Sequence, residues 1–428
     1  MGRHARQHWT SAIGGIGTPR RDRAGGPYNA YVPDLLVGRV FQFDGDVAAD
    51  ISDAERAISR LDQRAAGLTN TEILARLLLR AESVASSKIE GLVVSPQRVL
   101  RAALTRDEGN PPTDDLASEV LANVDAMAFA VEEIGPITLD RILEIHRRLM
   151  ATRRDAPSAG VFRTEQNWIG GNNYNPINAA FVPPPPNILK GLLIDLCDFC
   201  NDDHLPALAQ AALAHAQFET IHPFGDGNGR TGRALIYMVL RRRGLATRAT
   251  PPISLVLATH SKHYVARLDA TRTLGPPTTK AAHGATNQWI AFFAAACTRA
   301  VADAEDFETR IEAIQTEWRT RLGKIRIDAT ALKLVEILPA IPVVTVAGVA
   351  RMLDRTFPAA NTAIDYLVAL GILKPVTQGK RNRAFEARDI IDAFTALERQ
   401  LASQEGNTKT SKPTRDVPAR PPKTKRAR

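Results

Sequence analysis

The sequence predicts an all-α, mainly helical fold with one small β-hairpin flap, followed by a C-terminal winged helix. Three observations predict it. Apolar residues recur at helical period along most of the middle of the chain. One Gly- and Asn-rich stretch that ends in four prolines interrupts them. The last helical patterns then run into a pair of extended, basic segments.

The first well-signalled helix starts near Thr71. Thr69 and Glu72 have capping-box spacing, and Ile73, Leu74, Leu77, Leu78 and Ala81 follow at helical period. The pattern reaches Glu90 and stops at Gly91, a natural C-terminal cap. Residues 27–70 read as loop mixed with short helix. Helix is expected again across 117–153, including ITLDRILEIHRRLM at 137–150. In GVFRTEQNWIGGNNYNPINAAFVPPPP (160–186), β-prone pieces flank a Gly-Gly turn, which reads as a hairpin. Helix returns at 187–202, 206–221 and 230–243, where Gly244 ends it.

The expected organisation is a disordered basic tail at 1–26, a helical region at 27–115 and a core at 116–310. A separate unit follows at 326–396, and a second disordered basic tail at 400–428. The net charge of +9 resides in the tails. Residues 1–26 carry five Arg against Asp22, and residues 409–428 carry eight Lys and Arg against Asp416. The sequence between them is close to neutral, so the folded surface is not broadly basic. No run of 18 apolar residues exists, which argues against a membrane-spanning helix. The N-terminus lacks a secretory pattern, so the cytoplasm is the expected location. Cys197 and Cys200 lie in an apolar helical pattern with no matching pair of soft ligands, and read as reduced helix cysteines.

The most informative stretch is HPFGDGNGRTGR, His222 to Arg233. An apolar helix precedes it and another follows, so a Gly-rich loop feeds a helix N-terminus. Free amides and the positive end of the helix dipole favour a phosphate there. Gly225, Gly227 and Gly229 would let the backbone approach an anion and adopt positive φ. Arg230 and Arg233, three apart, would share one face and clamp a polyphosphate. Asp226 suits Mg²⁺ bridging phosphates, and His222 could take a proton from an attacking hydroxyl. Taken singly, each of these is an ordinary cap, turn or surface residue; the combination within twelve residues carries the signal.

This loop resembles the signature of the Fic family, HxFx(D/E)GNGRxxR, at every fixed position. The resemblance extends to the 160–186 stretch and to PYNAYVPDLL at 27–36. It implies transfer of AMP from ATP to a Ser, Thr or Tyr hydroxyl of a target protein, with His222 as general base. It places Mg²⁺ on Asp226, the α-phosphate on Asn228 and loop amides, and the outer phosphates on Arg230 and Arg233. It also sets Phe224 and Tyr264 in the nucleotide site, although core packing is an equal reading of Tyr264. Ile169, Gly170 and Gly171 would form the flap edge on which an extended target segment docks. Some relatives dimerise, which makes a homodimer an expectation too. The related phosphotransferase branch carries Lys and lacks the second loop Gly, and that departure favours AMP over other groups.

Ser86 and Glu90, four apart on one helix face, resemble the family's inhibitory motif (S/T)xxxE(G/N). The resemblance implies that Glu90 pairs with Arg233 and repels the triphosphate from its clamp. In some relatives the same Glu serves removal of AMP. The C-terminal unit offers a second function class, a nucleotide-sensing regulator acting on DNA. Thr345 to Leu370 reads as helix–turn–helix, and Lys380, Arg381 and Arg383 mark a basic hairpin tip. The second of those helices offers mainly Asn361 and Thr362 to read bases. The basic C-terminal tail is the other candidate for contact with DNA.

Overall fold

The structure is a computed structural model, and it describes residues 2–11, 24–67, 71–152, 158–326, 328–376 and 383–401. Strands β1 (Arg3–Trp9) and β2 (Gly26–Val32) open it. Helices α1 (Gly45–Gly67), α2 (Thr71–Ile89), α3 (Pro96–Asp107), α4 (Asp115–Glu132) and α5 (Leu139–Leu149) follow. After the flap come α6 (Leu189–Asn201), α7 (Ala207–Ile221), α8 (Asn228–Arg242), α9 (Ile253–Thr259) and α10 (Ser261–Thr271). The long α11 (Lys280–Leu322) leads to α12 (Thr330–Ile337), β3 (Val343–Thr345), α13 (Val346–Met352) and α14 (Phe357–Ala369). The chain closes with β4 (Lys374–Val376), β5 (Ala384–Glu386) and α15 (Arg388–Leu401). The mainly helical expectation holds.

Local chemistry sets many of the helix starts. Asp114, Thr138, Thr279, Thr345 and Thr356 each accept a backbone N–H three residues on, capping α4, α5, α11, α13 and α14. At the end of α2, Gly91 takes φ +85°, which lets Leu92 N return to Ser87 O at 3.1 Å.

Helix α7 lies at the centre. Every residue in it except Glu219 is buried, between α6, α8 and α11. Trp289 of α11 donates its indole N–H to Ala212 O at 2.9 Å. Helix α2 packs on α9, α4 and α8, and Asn123 of α4 donates to Ser83 O (2.8 Å) and to Ser87 Oγ (3.0 Å). This packing brings the end of α2 to the start of α8.

Several expectations are corrected. Residues 3–9 are not a free tail: β1 pairs antiparallel with β2, from Arg3 opposite Val32 to Trp9 opposite Gly26. RHARQHW shows no alternation because both its faces are largely exposed; the main-chain ladder holds it. Residues 12–23 lie outside the described residues, as do Thr69, the hairpin-tip residues Lys380 and Arg381, and the tail beyond 401. The region before α2 holds a 23-residue helix, α1, with Val47, Ile51, Ala54, Ile58, Leu61 and Ala65 buried at helical period. The expected flap hairpin reduces to one bridge, Ile169 with Phe181, bonded at 2.8 and 3.1 Å. The four prolines that follow Val182 have no backbone N–H with which to extend the ladder.

The C-terminal elements are not detached from the rest. Helix α11, 43 residues long, runs through the boundary expected near 310. Its last turns bond the C-terminal unit through Trp318 Nε1 to Asp389 (2.9 Å) and Gln315 to Glu336 O (3.2 Å). In that unit the sheet order is β3-β5-β4, all antiparallel. The buried Glu386 of β5 accepts Arg101 Nε and Nη2 of α3 at 3.0 and 2.7 Å, and Gln97 at 3.1 Å. One hydrophobic core is continuous from Leu36 to Leu397.

No helix among the described residues is long and apolar enough to cross a membrane. The three cysteines are buried and free, and burial pushes the Cys197 thiol up to about 12.

Candidate active site

The loop expected to bind phosphate joins α7 to α8. His222 caps α7 with φ +48°, a left-handed conformation that a non-glycine residue adopts at a cost of about 1 kcal/mol. It lines a cleft of about 650 Å³. Burial, then Arg272 and Arg163, push the imidazole down to about 4, so it is neutral at pH 7.

The remaining loop residues divide into framework and surface. Phe224, expected at the nucleotide, is fully buried and stacks on His146 with centroids 3.7 Å apart. Asn228 closes the loop on itself: Phe224 N donates to its Oδ1 and its Nδ2 donates to Phe224 O, both at 2.9 Å. Gly160 N donates to His146 Nδ1 at 2.9 Å, so His146 Nε2 carries the proton and donates to Asp226 O at 3.0 Å. Of the three loop glycines, only Gly227 has positive φ, +76°. Gly225 is open to space without needing that conformation. Gly229 lies in the first turn of α8 and serves close approach instead. The helix begins at Asn228, not at residue 230.

Arg230 and Arg233 have different partners. The buried Arg230 places its Nη2 3.8 Å from Asp226 Oδ1. Arg233, 1% exposed, faces α2: its Nε donates to Ser86 Oγ at 2.8 Å and its Nη2 to Ser86 O at 2.9 Å. The same Nη2 donates to Glu90 Oε1 at 2.8 Å. Ser86 and Glu90, each 143 or more residues from Arg233 in sequence, therefore meet it as the resemblance to the inhibitory motif implied.

Glu90, His222, Gly229, Arg233, Tyr264 and Ile169 all line the one cleft. Tyr264 is buried, and its hydroxyl is 2.6 Å from His215 Nε2. The flap reaches the cleft through Ile169 and Ala179–Val182. Gly170 and Gly171, both at positive φ, make its turn, where a Cβ would strike Ala180 or Asn178 O.

Four contributors escaped the sequence reading. His4 of β1 lines the cleft. Arg272, stacked 3.7 Å over the Phe181 ring, supplies a cation near His222. Glu219, one turn before His222 on α7, is half-buried as a residue, and desolvation of its inward carboxyl raises it to about 7. Arg163 bonds the His222 carbonyl at 2.9 Å. Only Glu219 carried a sequence signal, its i−3 spacing from His222.

Residues 136–240 match the family model described as Fic/DOC family, and residues 48–132 match the model described as Fic/DOC family N-terminal. Over 223 residues the chain is 32% identical to protein adenylyltransferase Fic of Drosophila willistoni, covering 49% of this chain and 42% of that one. Over 136 residues it is 35% identical to protein adenylyltransferase fic-1 of Caenorhabditis briggsae, covering 31% of this chain and 24% of that one. The chain thus spans less than half the length of these curated relatives. Among solved structures, a Fic family protein from Desulfovibrio desulfuricans aligns over 81% of this chain and 97% of its own, at 19% identity and a TM-score of 0.48.

Proposed function

We propose, from the premise that the chain belongs to the Fic/DOC family through residues 48–132 and 136–240, that it moves AMP from ATP to a hydroxyl side chain of a target protein and holds itself inactive through Glu90. The observation that carries this reading is the 2.8 Å contact of the Glu90 carboxylate with Arg233 in the cleft that holds His222.

In the reaction, the target hydroxyl oxygen attacks the α-phosphorus of ATP. The bond from that phosphorus to the bridging oxygen breaks, and pyrophosphate leaves. The hydroxyl proton passes to the neutral His222 imidazole. The first amides of α8 face the phosphates, because the first turn of a helix leaves its N–H groups without intrahelical partners. Arg233 supplies the buried cation for the outer phosphates. Ile169 and Phe181 present the flap edge to an extended target segment.

Mg²⁺ fits as a companion of the nucleotide. Among the described residues no group of three or more His, Cys, Asp or Glu could hold an ion unaided. Asp226 offers one carboxylate, 51% exposed, and Mg²⁺ commonly binds through one or two carboxylates with phosphate oxygens and water. Bound there, it would offset the phosphate charge.

While Glu90 stays in place, Arg233 is already neutralised, and a second anion at the same point meets repulsion. A triphosphate is thereby denied the pose for in-line attack. Residues 326–396 are read as a winged helix, a reading supported by the helix and strand order of the described residues there. Three buried free thiols suit action in the cytoplasm.

The test separates the two ends of ATP. The Glu90→Gly chain, incubated with cell lysate, is predicted to leave label on protein from α-labelled ATP and none from γ-labelled ATP. Label from the γ position would assign phosphate transfer, and no label from either would remove the transferase reading.

A further inference from the structure

Arg163 lies near the start of the 160–186 flap stretch, before the Ile169–Phe181 bridge, and is only 8% exposed. Its guanidinium spends its donors on three carbonyls: His222 O at 2.9 Å, Glu165 O at 3.1 Å and Pro184 O at 2.5 Å. Its own backbone N donates to Pro223 O at 2.9 Å. No carboxylate among the described residues pairs with it within salt-bridge distance, and burial pulls its guanidinium down to about 10. A buried cation without a counter-charge is costly, so its presence asks for a role.

Its partners point to that role. Glu165 and Pro184 stand at the two roots of the flap, before Ile169 and after Phe181, the residues that form the flap's bridge. His222 O belongs to the residue with strained left-handed backbone. One planar fork therefore ties both legs of the flap to the carbonyl of the histidine. Asn167 Nδ2, donating to Phe224 O at 3.1 Å, makes a second, weaker tie between flap and loop.

We propose that Arg163 is a positioning residue: it fixes the backbone of His222 against the flap, so that a target hydroxyl docked on the flap meets the imidazole in register. The inference rests on the transfer reading for its kinetic consequence. An electrostatic half stands independently of it: the Arg163 charge, held at the His222 carbonyl, adds to burial and Arg272 in disfavouring the imidazolium.

The groups facing His222 come from several elements. Arg272 after α10 and Arg163 before the flap's bridge disfavour the imidazolium, whereas Glu90 of α2 and the backbone bond at Glu219 of α7 favour it. Removing the Arg163 charge therefore raises the pH at which His222 protonates. Replacing Arg by Lys keeps the charge and loses the three-way fork.

The experiment uses the full chain with Arg163→Lys or Arg163→Gln. The His222 ring is followed by NMR across pH without nucleotide, and AMP transfer is followed with each change added to Glu90→Gly. The Gln variant is expected to raise the His222 midpoint by about one unit. The Lys variant is expected to leave that midpoint in place while kcat falls about tenfold or more, with KM for ATP within about twofold. An unmoved midpoint in the Gln variant, or an unchanged kcat in the Lys variant, overturns the proposal. If no form of the chain transfers AMP, the transfer reading fails, and the NMR comparison of Gln with Lys still decides the electrostatic half. If the Gln variant does not fold, the Lys variant decides alone through its kcat.

Discussion

The carboxylate of Glu90 rests against the α-carbon of Gly229. A Cβ built on Gly229 would lie 2.0 Å from Glu90 Oε1 and 2.9 Å from Arg233 Nη1. The first turn of α8 is thus open to an anion because residue 229 has no side chain. The anion now seated there belongs to the protein itself.

That contact makes a prediction for Gly229→Ala. Alanine is the better helix former by about 1 kcal/mol, so the fold should tolerate it. The methyl group evicts the Glu90 carboxylate, yet it occupies the same space that a phosphate needs. Gly229→Ala in the Glu90→Gly background is therefore expected to weaken ATP binding about tenfold or more by calorimetry. Binding as tight as in Glu90→Gly alone would show that phosphate does not approach Gly229.

Glu82 predicts a pH signature. It is fully buried on α2, accepts Ser254 N at 2.7 Å and bonds the Ser254 hydroxyl, and burial raises its carboxyl to about 7. A raised acid stabilises the fold when protonated, below its unfolded value near 4.5, and loses that contribution as pH climbs towards 7. Glu82→Gln, which mimics the protonated form, should gain on the unmodified chain between pH 4.5 and 8. The gain is on the order of 2–3 kcal/mol, read from urea midpoints at the two pH values. A constant difference across that range would refute the burial argument.

Much of this was legible beforehand, and the part that was not has physical reasons. The end of α2 at Gly91 and the meeting of Ser86, Glu90 and Arg233 rest on local spacing together with a motif. Helix α1 is legible in the period of Val47, Ile51, Ala54 and Ile58, although its loop-like neighbours make the whole of 27–70 read as loop mixed with short helix. Strand β1 was not, because its partner lies beyond a long connection and its side chains show no buried face. The inward turn of Phe224 depends on His146, and the three carbonyls held by Arg163 belong to separate segments. Such contacts are products of tertiary packing that no spacing along one segment records.

Arg101 of α3 and Glu386 of β5 join the N-terminal helical region to the C-terminal unit. Glu386 is 1% exposed while Arg101 is 40% exposed. Arg101→Ala leaves a buried carboxylate with Gln97 alone, at a cost of about 2 kcal/mol. The melting temperature should fall by a few degrees. The conservative Glu386→Gln should cost less, because no charge remains to be stranded.

The most direct measurement is the initial rate of AMP transfer from α-labelled ATP by the unmodified chain, by Glu90→Gly, and by Glu90→Gly with His222→Ala. A carboxylate that withholds Arg233 from the nucleotide predicts a rise of about tenfold or more on its removal, and a return to background when the imidazole is removed as well. Equal rates for the unmodified chain and Glu90→Gly would contradict it.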